Sequence, residues 1–320
     1  MFTSLYISKT YDMAMDLRHL RYFVTVAEEG HITRAAERLG IQQPPLSQQI
    51  RALETELGVQ LFRRKPRGVE LTDAARALLG DARRILGDVD GALAKVRRTA
   101  RGEQGRIVVG FTSSAPFHPF VPKVLRVFRD GHPRVSMVLE EGGTADLVAA
   151  LREERLDAAF IRSPVPDGEG VAVHALLREP MCAALPAGHA LVRRTRGRTL
   201  RLADLALEAF VLYRRVSGPG LYDAIFRACH DAGFVPRIEQ EAPRIVATLN
   251  LVASGLGVSI VPRSLSAMRL PGIAFRPLAR ATHLTAPIGL ACRTVDHSAA
   301  ARNFVSVVRR KAREEGRGGS

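Results

Sequence analysis

Apolar residues recur at helical spacing through the first part of the chain. The first such stripe consists of Leu17, Leu20, Phe23, Val24 and Ala27. It predicts a helix that ends near Gly30, and Ile32–Leu39 predicts a second helix. A third helix is expected to begin at Gln43, because Pro44 and Pro45 suit the first helical turn. Two helices joined by a short glycine turn form a helix-turn-helix arrangement.

The third helix has two faces of different chemistry. At about 100° per residue, one side carries the apolar positions Leu46, Ile50, Leu53 and Leu57, which we expect in the core. The other side carries Pro44, Ser47, Gln48, Arg51 and Thr55, most of which have hydrogen-bonding side chains. This face contains no acidic residue and can enter a DNA major groove, where glutamine can pair with adenine. The pattern alone is equally compatible with an ordinary solvated helix face.

A cationic hairpin follows the third helix. The strands are predicted at Val59–Arg63 and Val69–Leu71, and residues 64–68 form the tip between them. We interpret the hairpin as a wing whose Arg64 and Arg67 hold phosphates or enter a minor groove. A wing beside a helix-turn-helix favours DNA binding over the solvated-face alternative. The candidate DNA-binding residues are Gln42, Gln43, Pro44, Pro45, Ser47, Gln48, Arg51, Arg64 and Arg67.

A long helix is predicted from Asp73 to Ala100, with Thr72 as its cap. Its apolar positions alternate at spacings of four and three residues: Leu78, Ala82, Ile85, Val89, Ala92 and Val96. This heptad pattern indicates pairing with another helix, and the candidate dimer contacts are Leu78, Ile85, Val89 and Val96. The alternative is a long helix that packs only within its own domain. Residues 102–105 are expected to end the helix and act as a hinge.

From Arg106 onward, apolar strand-like runs alternate with helical segments. The first runs are Ile107–Phe111, Val135–Glu140 and Ala158–Ile161, and a second set includes Met181–Leu185, Phe210–Tyr213 and Val258–Val261. The chain then returns through Ile288–Cys292 to a final helix at Ser298–Ala312. The pattern predicts an α/β region with parallel sheets, arranged as two lobes.

Hydroxyl side chains stand where several predicted strands end and helices begin. In open α/β sheets, ligands bind at the carboxyl ends of strands, and helix N-termini attract anions. The candidate ligand-binding residues are Ser113, Ser114, Thr144, Arg162, Ser217 and Pro219, with Arg162 as a cation. A small carboxylate is the ligand that fits this chemistry. Taken one at a time, each hydroxyl is better explained as an ordinary helix cap than as a ligand contact.

The net charge of +15 and the isoelectric point near 10.8 indicate an acidic partner. Residues 1–105 contain 17 basic and 13 acidic residues, whereas residues 106–320 contain 30 and 19. The excess therefore lies mainly in the C-terminal part, and net charge does not locate a nucleic-acid site.

Composition argues against a disordered chain, a disulfide-rich protein and a membrane protein. With 46% apolar and 25% charged residues, the 320-residue chain is globular and long enough for about two domains. Its three cysteines cannot form a disulfide framework, which indicates a reducing cytoplasm. Residues 1–14 lack the apolar core of a signal peptide, and Met15 is a plausible natural start. No membrane span is predicted.

Three other functions are disfavoured by the sequence. An enzyme is disfavoured because the chain has no Gly-x-Ser-x-Gly elbow and no His-x-x-x-His metal spacing, so neither catalytic residues nor a cofactor or metal is expected. A transport receptor is disfavoured by the helix-turn-helix. A redox sensor built on Cys182 and Cys229 is disfavoured because Cys182 lies in an apolar strand context.

Several motifs together carry a family resemblance. They are Leu17–Phe23 (LRHLRYF), Ala35–Leu39 (AAERL), Gln43–Ile50 (QPPLSQQI), Leu53–Gly58 (LETELG), Leu61–Arg64 (LFRR) and Leu71–Thr72. The chain resembles the LysR-type transcriptional regulators, and among them those that control aromatic-compound breakdown. The resemblance covers the whole N-terminal domain. One position departs from it, because Gln48 stands where the family often has arginine.

The resemblance implies a fold that is α/β overall, with an N-terminal winged helix-turn-helix dominated by α-helices at residues 15–72. A dimerising linker helix and hinge would follow at 73–105. A two-lobed periplasmic-binding-protein-like effector domain would occupy 106–312, with lobe one at 106–177 and 285–312 and lobe two at 178–284. The implied protein is a cytoplasmic homotetramer, formed as a dimer of dimers, that binds double-stranded DNA and a small organic acid. RNA polymerase is a candidate further partner.

Overall fold

The computed structural model describes residues 15–163, 165, 170–195, 198–217, 219–279 and 283–318. The expected start at Met15 stays a prediction, because residues 1–14 lie outside the described part of the chain. The chain divides into two compact units, one up to Arg97 and one from Arg98 onward.

The first unit contains three short helices, a two-stranded hairpin and a long helix. Its elements are α1 (Leu17–Glu29), α2 (Ile32–Leu39), α3 (Gln43–Leu57), β1 (Phe62–Lys65), β2 (Gly68–Leu71) and α4 (Asp73–Ala100). The predicted helices are confirmed. The carboxylate of Asp16 caps α1 by accepting the N–H groups of Arg18 and His19, and Gly30 ends the helix in a left-handed conformation.

The core of the first unit is built from the apolar stripes of its helices. Leu46, Ile50 and Leu53 of α3 are buried as predicted, and they pack with Phe23 of α1 and Leu61. The first half of α4 adds the buried Ala75 and Ala82. Thr72 caps α4 as expected, because its hydroxyl accepts the Ala75 N–H at 3.1 Å.

The wing differs from the prediction at its start and at its tip. Strand β1 begins at Phe62, because the carboxylate of Glu54 accepts the N–H groups of Leu61 and Phe62 at 2.7 and 3.1 Å and holds this stretch against α3. Lys65 pairs with Gly68, so the turn consists of residues 66 and 67 alone. Arg64 therefore lies within strand β1, and the prediction that it belongs to the tip is wrong.

The predicted hinge at 102–105 is also wrong in its extent. The next strand, β3, begins at Gln104, which leaves residues 101–103 between it and α4. Gly102 has φ of 69°, and a Cβ there would lie 2.5 Å from the carbonyl carbon of Ala299. The Asn303 side chain donates to the Arg101 carbonyl at 2.9 Å. The connection is thus held against the C-terminal helix.

The second unit alternates strands and helices. Its elements are β3 (Gln104–Phe111), α5 (Phe120–Gly131), β4 (Arg134–Glu141), α6 (Thr144–Arg152), β5 (Ala158–Ile161), β6 (Val171–Pro186), α7 (Ala190–Thr195), β7 (Ala209–Tyr213), α8 (Pro219–Asp231), β8 (Arg237–Ala242), α9 (Ile245–Ala253), β9 (Ser259–Pro262), β10 (Ile273–Pro277), β11 (Thr285–Arg293) and α10 (Ala299–Gly318). Short 3₁₀ turns lie at Ala115–Phe117, Leu202–Leu205, Arg215–Ser217 and Arg263–Met268.

The sheets are mixed rather than parallel, which corrects the sequence prediction. Strand β3 pairs parallel with β4 and β5, and β7 pairs parallel with β8. Strand β11 is antiparallel to both β5 and β6, because it brings the chain back from the far side of the unit. The 16-residue β6 pairs with β11 along its first part and with β9 and β10 along its last part. The predicted strand Met181–Leu185 is therefore only the end of β6.

Two cores lie on either side of this crossing. We call lobe one the part built on β3, β4, β5, β11 and the start of β6, with a core that includes Phe160 and Phe304. Lobe two is the part built on β7–β10 and the end of β6, with a core that includes Phe210 and Leu249. Two lobes are present as expected, and a continuous strand joins them.

Candidate functional site

The polar face of α3 is open to solvent. Gln42, Gln43, Pro44, Pro45, Gln48 and Arg51 are all exposed, and Ser47 is half-buried. The Gln43 side chain donates to the Ser47 hydroxyl at 2.7 Å. Gln42 occupies the cap position without a side-chain capping bond, and because Pro44 and Pro45 have no N–H, only Gln42 and Gln43 can offer backbone donors at the start of α3.

The wing of the same unit carries further exposed cations. Arg64 and Arg67 are exposed, and neither forms an ion pair with any described residue, whereas Lys65 pairs with Glu70 at 2.9 Å. The wing is held close to α1, because the Val69 N–H donates to the Gly30 carbonyl at 2.8 Å. Gly68 has φ of 132°, and a Cβ there would lie only 2.2 Å from the same carbonyl oxygen. A glycine is therefore required at this approach.

The structure divides the predicted heptad stripe of α4 into two parts. Leu78 and Ile85 pack partly against the core of the first unit, which supports the alternative of packing within the domain for this half. Beyond them, Val89 is half-buried. The side chains of Val96 and the neighbouring Leu93 are 66% and 49% exposed. The apolar surface available to another helix is thus the later half.

A closed cleft lies where lobe one meets lobe two. It is lined mainly by hydroxyl and apolar side chains: Thr112, Ser113, Ser114, Thr144, Arg162, Ser163, Tyr213, Leu221, Pro243 and Ile245. Four of the six residues predicted from the sequence therefore meet here. Pro219 begins α8 but does not line the cleft, and the side chain of Ser217 lies outside the described part of the chain.

The predicted cleft hydroxyls of Ser114 and Thr144 do not cap the helices that follow them. Ser114 precedes the 3₁₀ turn and makes no capping bond, and Gly143 rather than Thr144 holds the cap position of α6. The hydroxyls of Thr112 and Thr144 are buried and lack any hydrogen-bond partner among the described residues. Buried polar groups are normally paired, so these two are available to a ligand.

Arg162 forms a buried ion pair that the sequence analysis missed. Its Nη2 lies 2.6 Å from Oε1 of Glu179 and also donates to the Ser114 carbonyl at 3.0 Å. Its Nε and Nη1 are buried and have no hydrogen-bond partner among the described residues. Burial lowers the pKa of the Arg162 guanidinium, and Glu179 opposes this shift. Glu179 lies within β6, in the stretch of that strand that the prediction left out.

The two lobes are fastened together around the cleft. The Gly220 N–H of α8 donates to the Ser163 hydroxyl at 3.1 Å, and Arg244 pairs with Glu141 across the opening. The enclosed space is about 30 Å³, which is enough for a water molecule or two. Helices α6 and α9 begin at the cleft, with Thr144 and Ile245 as their first residues, so both direct positive dipole ends toward it.

The described residues show neither a metal site nor a reactive cysteine. The described residues contain no cluster of metal-ligating side chains and no helix able to cross a membrane. Cys182, Cys229 and Cys292 are all buried and free. Burial raises the pKa of Cys182 and of Cys229 to about 12, which keeps both thiols protonated and unreactive at neutral pH.

Comparison with known proteins identifies both halves of the chain. Residues 17–76 match the model of the bacterial regulatory helix-turn-helix protein, lysR family, and residues 100–313 match the LysR substrate binding domain. The chain belongs to the LysR family of transcriptional regulators. The resemblance and the overall fold class expected from the sequence are thereby confirmed.

This LysR regulator has similar relatives along nearly its whole length. It is 39% identical to BudR of Raoultella terrigena over 293 residues, which cover 92% of this chain and all of that protein. It is 34% identical to BenM of Acinetobacter baylyi, covering 94% and 98% of the two chains. A crystal structure of full-length CbnR complexed with its target DNA matches with a TM-score of 0.80 at 33% identity, over 93% of this chain and all of that one.

The second unit of this LysR regulator also matches a ligand-bound structure. The BenM effector binding domain with its effector benzoate is 28% identical, with a TM-score of 0.58, and covers 66% of this chain and 94% of that one. CbnR thus provides a DNA-bound relative and BenM a relative that binds a carboxylic acid.

Proposed function

We propose that this LysR regulator binds specific double-stranded DNA through α3 and the wing, and that a small organic acid in the interlobe cleft switches its activity. The observation that carries the proposal is a set of buried donors in that cleft that lack a partner within the described part of the chain: the Thr112 and Thr144 hydroxyls and two nitrogens of Arg162. The protein would act in the cytoplasm as a regulator and not as an enzyme.

The DNA-binding part of the proposal rests on the first unit. The α3 face offers the exposed amide of Gln48 and the guanidinium of Arg51 for base edges. Arg64 and Arg67 form no ion pair with the residues that the structure describes, so their positive charge is available for phosphate contacts. The DNA-bound structure of CbnR supports the same use of this unit.

The effector part rests on the cost of leaving polar groups unpaired. A buried donor without an acceptor destabilises a protein by about 1–3 kcal/mol, so a site with several such donors gains when an acceptor enters. A carboxylate has two acceptor oxygens and a negative charge. It would pair with the hydroxyls of Thr112 and Thr144 and with Arg162, and the dipoles of α6 and α9 would favour it. Benzoate in the BenM domain supports this ligand class.

The closed state described here holds too little space for such an acid. About 30 Å³ lies free, whereas small-molecule sites span about 300–1,000 Å³. We therefore expect the lobes to separate by breaking the Ser163–Gly220 and Glu141–Arg244 contacts. A ligand that fills the opened cleft would stabilise that arrangement relative to the closed one, which is how a ligand shifts a conformational equilibrium.

Assembly is expected to use the later half of α4. This helix of 28 residues is about 42 Å long, and its exposed Val96 continues the heptad pattern. Pairing with α4 of a second copy would cover this surface, and the family implies that two such dimers form a tetramer. RNA polymerase is the candidate partner of the assembled regulator on a promoter.

The test is a gel-shift titration on the promoter region beside the regulator's own gene, with and without a panel of organic acids. We expect Gln48→Ala to relax sequence preference by about 1–3 kcal/mol at one base pair. At least one acid should change the footprint. Unchanged operator affinity in the Gln48→Ala/Arg51→Ala variant would contradict the role of α3, and a response restricted to neutral ligands would contradict the carboxylate.

A further inference from the structure

A second concave site lies in lobe one, between α10 and the adjoining ends of β6 and β11. Its volume of about 700 Å³ falls within the range of about 300–1,000 Å³ that small-molecule sites occupy. It shares no lining residue with the interlobe cleft. Its charged lining residues are Arg293, Arg302, Arg309, Arg310, Arg313 and a single acid, Asp296.

The one acid is already engaged. Asp296 binds Arg293 at 3.1 Å and accepts the Ser298 N–H at 2.8 Å, while Arg293 also pairs with Asp157 at 3.0 Å. The neighbouring Arg302 donates to the Asp296 carbonyl at 2.6 Å. Arg293 and Asp296 therefore form part of the cavity wall, and their charges balance within the protein.

Among the described residues, Arg309 and Arg313 have no such balance, whereas Arg310 adds to Lys311 in lowering the pKa of the Glu314 carboxyl on the same helix. Arg309, Arg310 and Arg313 are exposed on α10, and none forms an ion pair or hydrogen bond with any described residue. With Arg302 they lie on one face of the helix at about 100° per residue, whereas Phe304 and other residues of the opposite face pack into the core of lobe one.

The charge of this helix face extends into the cavity. His174 of β6 lines the floor, and its pKa is lowered by burial and then by Arg309. Arg309 also opposes the rise in the pKa of the buried Cys292 on β11. Like charges gathered in a concave site repel one another, so their potential favours an anion there.

We infer that this cavity binds a small molecule carrying two or more phosphate groups, at a site separate from the organic-acid cleft. One carboxylate would balance only one of the unpaired guanidinium groups. A polyphosphate carries several charges and offers oxygen atoms in the planar arrangement that arginine binds with two parallel hydrogen bonds. Apart from His174, no described lining residue is aromatic, so the phosphates rather than a base would be recognised.

The experiment is calorimetric titration of the full-length protein with inorganic tripolyphosphate at about 0.15 M salt, where charges farther apart than about 8 Å are screened. We expect one site per chain, and weaker binding in the order tripolyphosphate, pyrophosphate, phosphate. Losing a hydrogen bond to a charged group weakens binding by about tenfold or more. We therefore expect Arg309→Gln/Arg313→Gln to weaken binding by about 100-fold.

The matched control is Arg126→Gln, an exposed arginine on α5 outside the cavity. Arg126→Gln should bind tripolyphosphate as tightly as the wild type does. An equal loss of affinity in Arg126→Gln and Arg309→Gln/Arg313→Gln would mean that the protein surface attracts the anion in general, which would overturn the proposal. Citrate that binds as tightly as tripolyphosphate would overturn the phosphate assignment. Both variants place glutamine, a good helix former, on exposed helix positions, so circular dichroism should show an intact fold.

A further measurement separates free phosphates from DNA phosphates. We expect Arg309→Gln/Arg313→Gln to leave operator affinity unchanged. If the variant bound the operator more weakly and the protein bound no tripolyphosphate, the cavity would be a contact site for the DNA backbone, and the proposal would be overturned. The response to organic acids should persist in this variant, so failure here and failure of the interlobe cleft give different results.

Discussion

Arg162 Nη2 lies 2.6 Å from Glu179 Oε1, and the two side chains are only 3% and 6% exposed. Arg162 follows the end of β5 in lobe one, whereas Glu179 belongs to β6, the strand that joins the lobes. Glu179 also accepts the N–H and the hydroxyl of Ser264 from lobe two at 2.8 and 3.1 Å. The ion pair therefore connects the cleft residue Arg162 to both lobes.

Glu179→Gln should strongly destabilise the second unit. Removing one partner of a buried pair leaves the other charge without compensation, which costs about 3–5 kcal/mol. Urea unfolding followed by circular dichroism would measure the loss. The control is Glu239→Gln, because the Arg237–Glu239 pair is 67% and 50% exposed and should contribute little. Similar losses in the two variants would contradict the importance of burial.

The same pair allows a second comparison. Arg162→Met/Glu179→Leu removes both charges and should be more stable than Glu179→Gln, because no isolated charge remains. A double variant that is less stable than the single one would show that the hydrogen bonds to Ser114 and Ser264 matter more than the charge.

Thr144→Val should weaken the response to the organic acid by about 0.5–1.5 kcal/mol, the value of one hydrogen bond. The valine keeps the shape of the side chain but removes the unpartnered hydroxyl. Operator affinity without ligand should stay unchanged. Thr285→Val, on β11 outside the cleft, is the matched control. Gel shifts across a ligand series would measure both, and tight binding that survives Thr144→Val would exclude this hydroxyl as a contact.

Arg67→Ala should weaken binding to every DNA sequence and lower the slope of log affinity against log salt by about one unit. Arg67 lies at the turn of the wing and pairs with none of the described residues, so its charge is available to a phosphate. A salt series of gel shifts on operator and unrelated DNA would measure the slope. Loss restricted to the operator would instead assign Arg67 to a base edge.

Val96→Asp should dissociate the assembly and leave the first unit folded. Val96 is 66% exposed, so a charge there is costly only when another helix covers it. Sedimentation velocity should show a smaller species. Ile85→Asp serves as the contrast, because Ile85 packs on the unit's own core and its substitution should lower thermal stability. An unchanged assembly of Val96→Asp would place the contact elsewhere.

The cysteines should be inert in the folded protein. With a pKa of about 12, Cys182 and Cys229 would have a thiolate fraction on the order of 10⁻⁴ at pH 8, and reactivity would rise only as pH approaches 12. Iodoacetamide labelling followed by mass spectrometry should modify them only after unfolding in guanidinium. Rapid native labelling of Cys182 would restore the redox hypothesis.

Local patterns predicted the elements of the first unit well. The stripe of Leu46, Ile50 and Leu53 and the capping Thr72 depend on neighbours a few residues away, and α4 has the predicted bounds. Glu54 was missed because its carboxylate binds backbone N–H groups of the following hairpin, a contact that helical periodicity does not encode.

The sequence predicted only those cleft residues that come soon after the end of a strand. Ser114, Thr144 and Arg162 follow strand ends, and this placement brought them together. Glu179 and Ser264 are 85 positions apart, and Ser163 and Gly220 are 57 apart, so their contacts depend on how the lobes meet. The antiparallel directions of β6 and β11 are equally long-range, and alternation of strands and helices wrongly suggested parallel sheets.

Because β11 lies between β5 and β6, the sheet of lobe one is completed only when the end of the chain has been synthesised. Lobe two draws its buried core from residues 181–286, whereas lobe one also needs Leu290 and Phe304. Lobe two can therefore begin to fold on the ribosome while the edges of β5 and β6 that will pair with β11 are still unpaired. Such edges invite aggregation. A nascent chain halted just before residue 285 would be a substrate for chaperones, and lobe one would close only after β11 and α10 emerge.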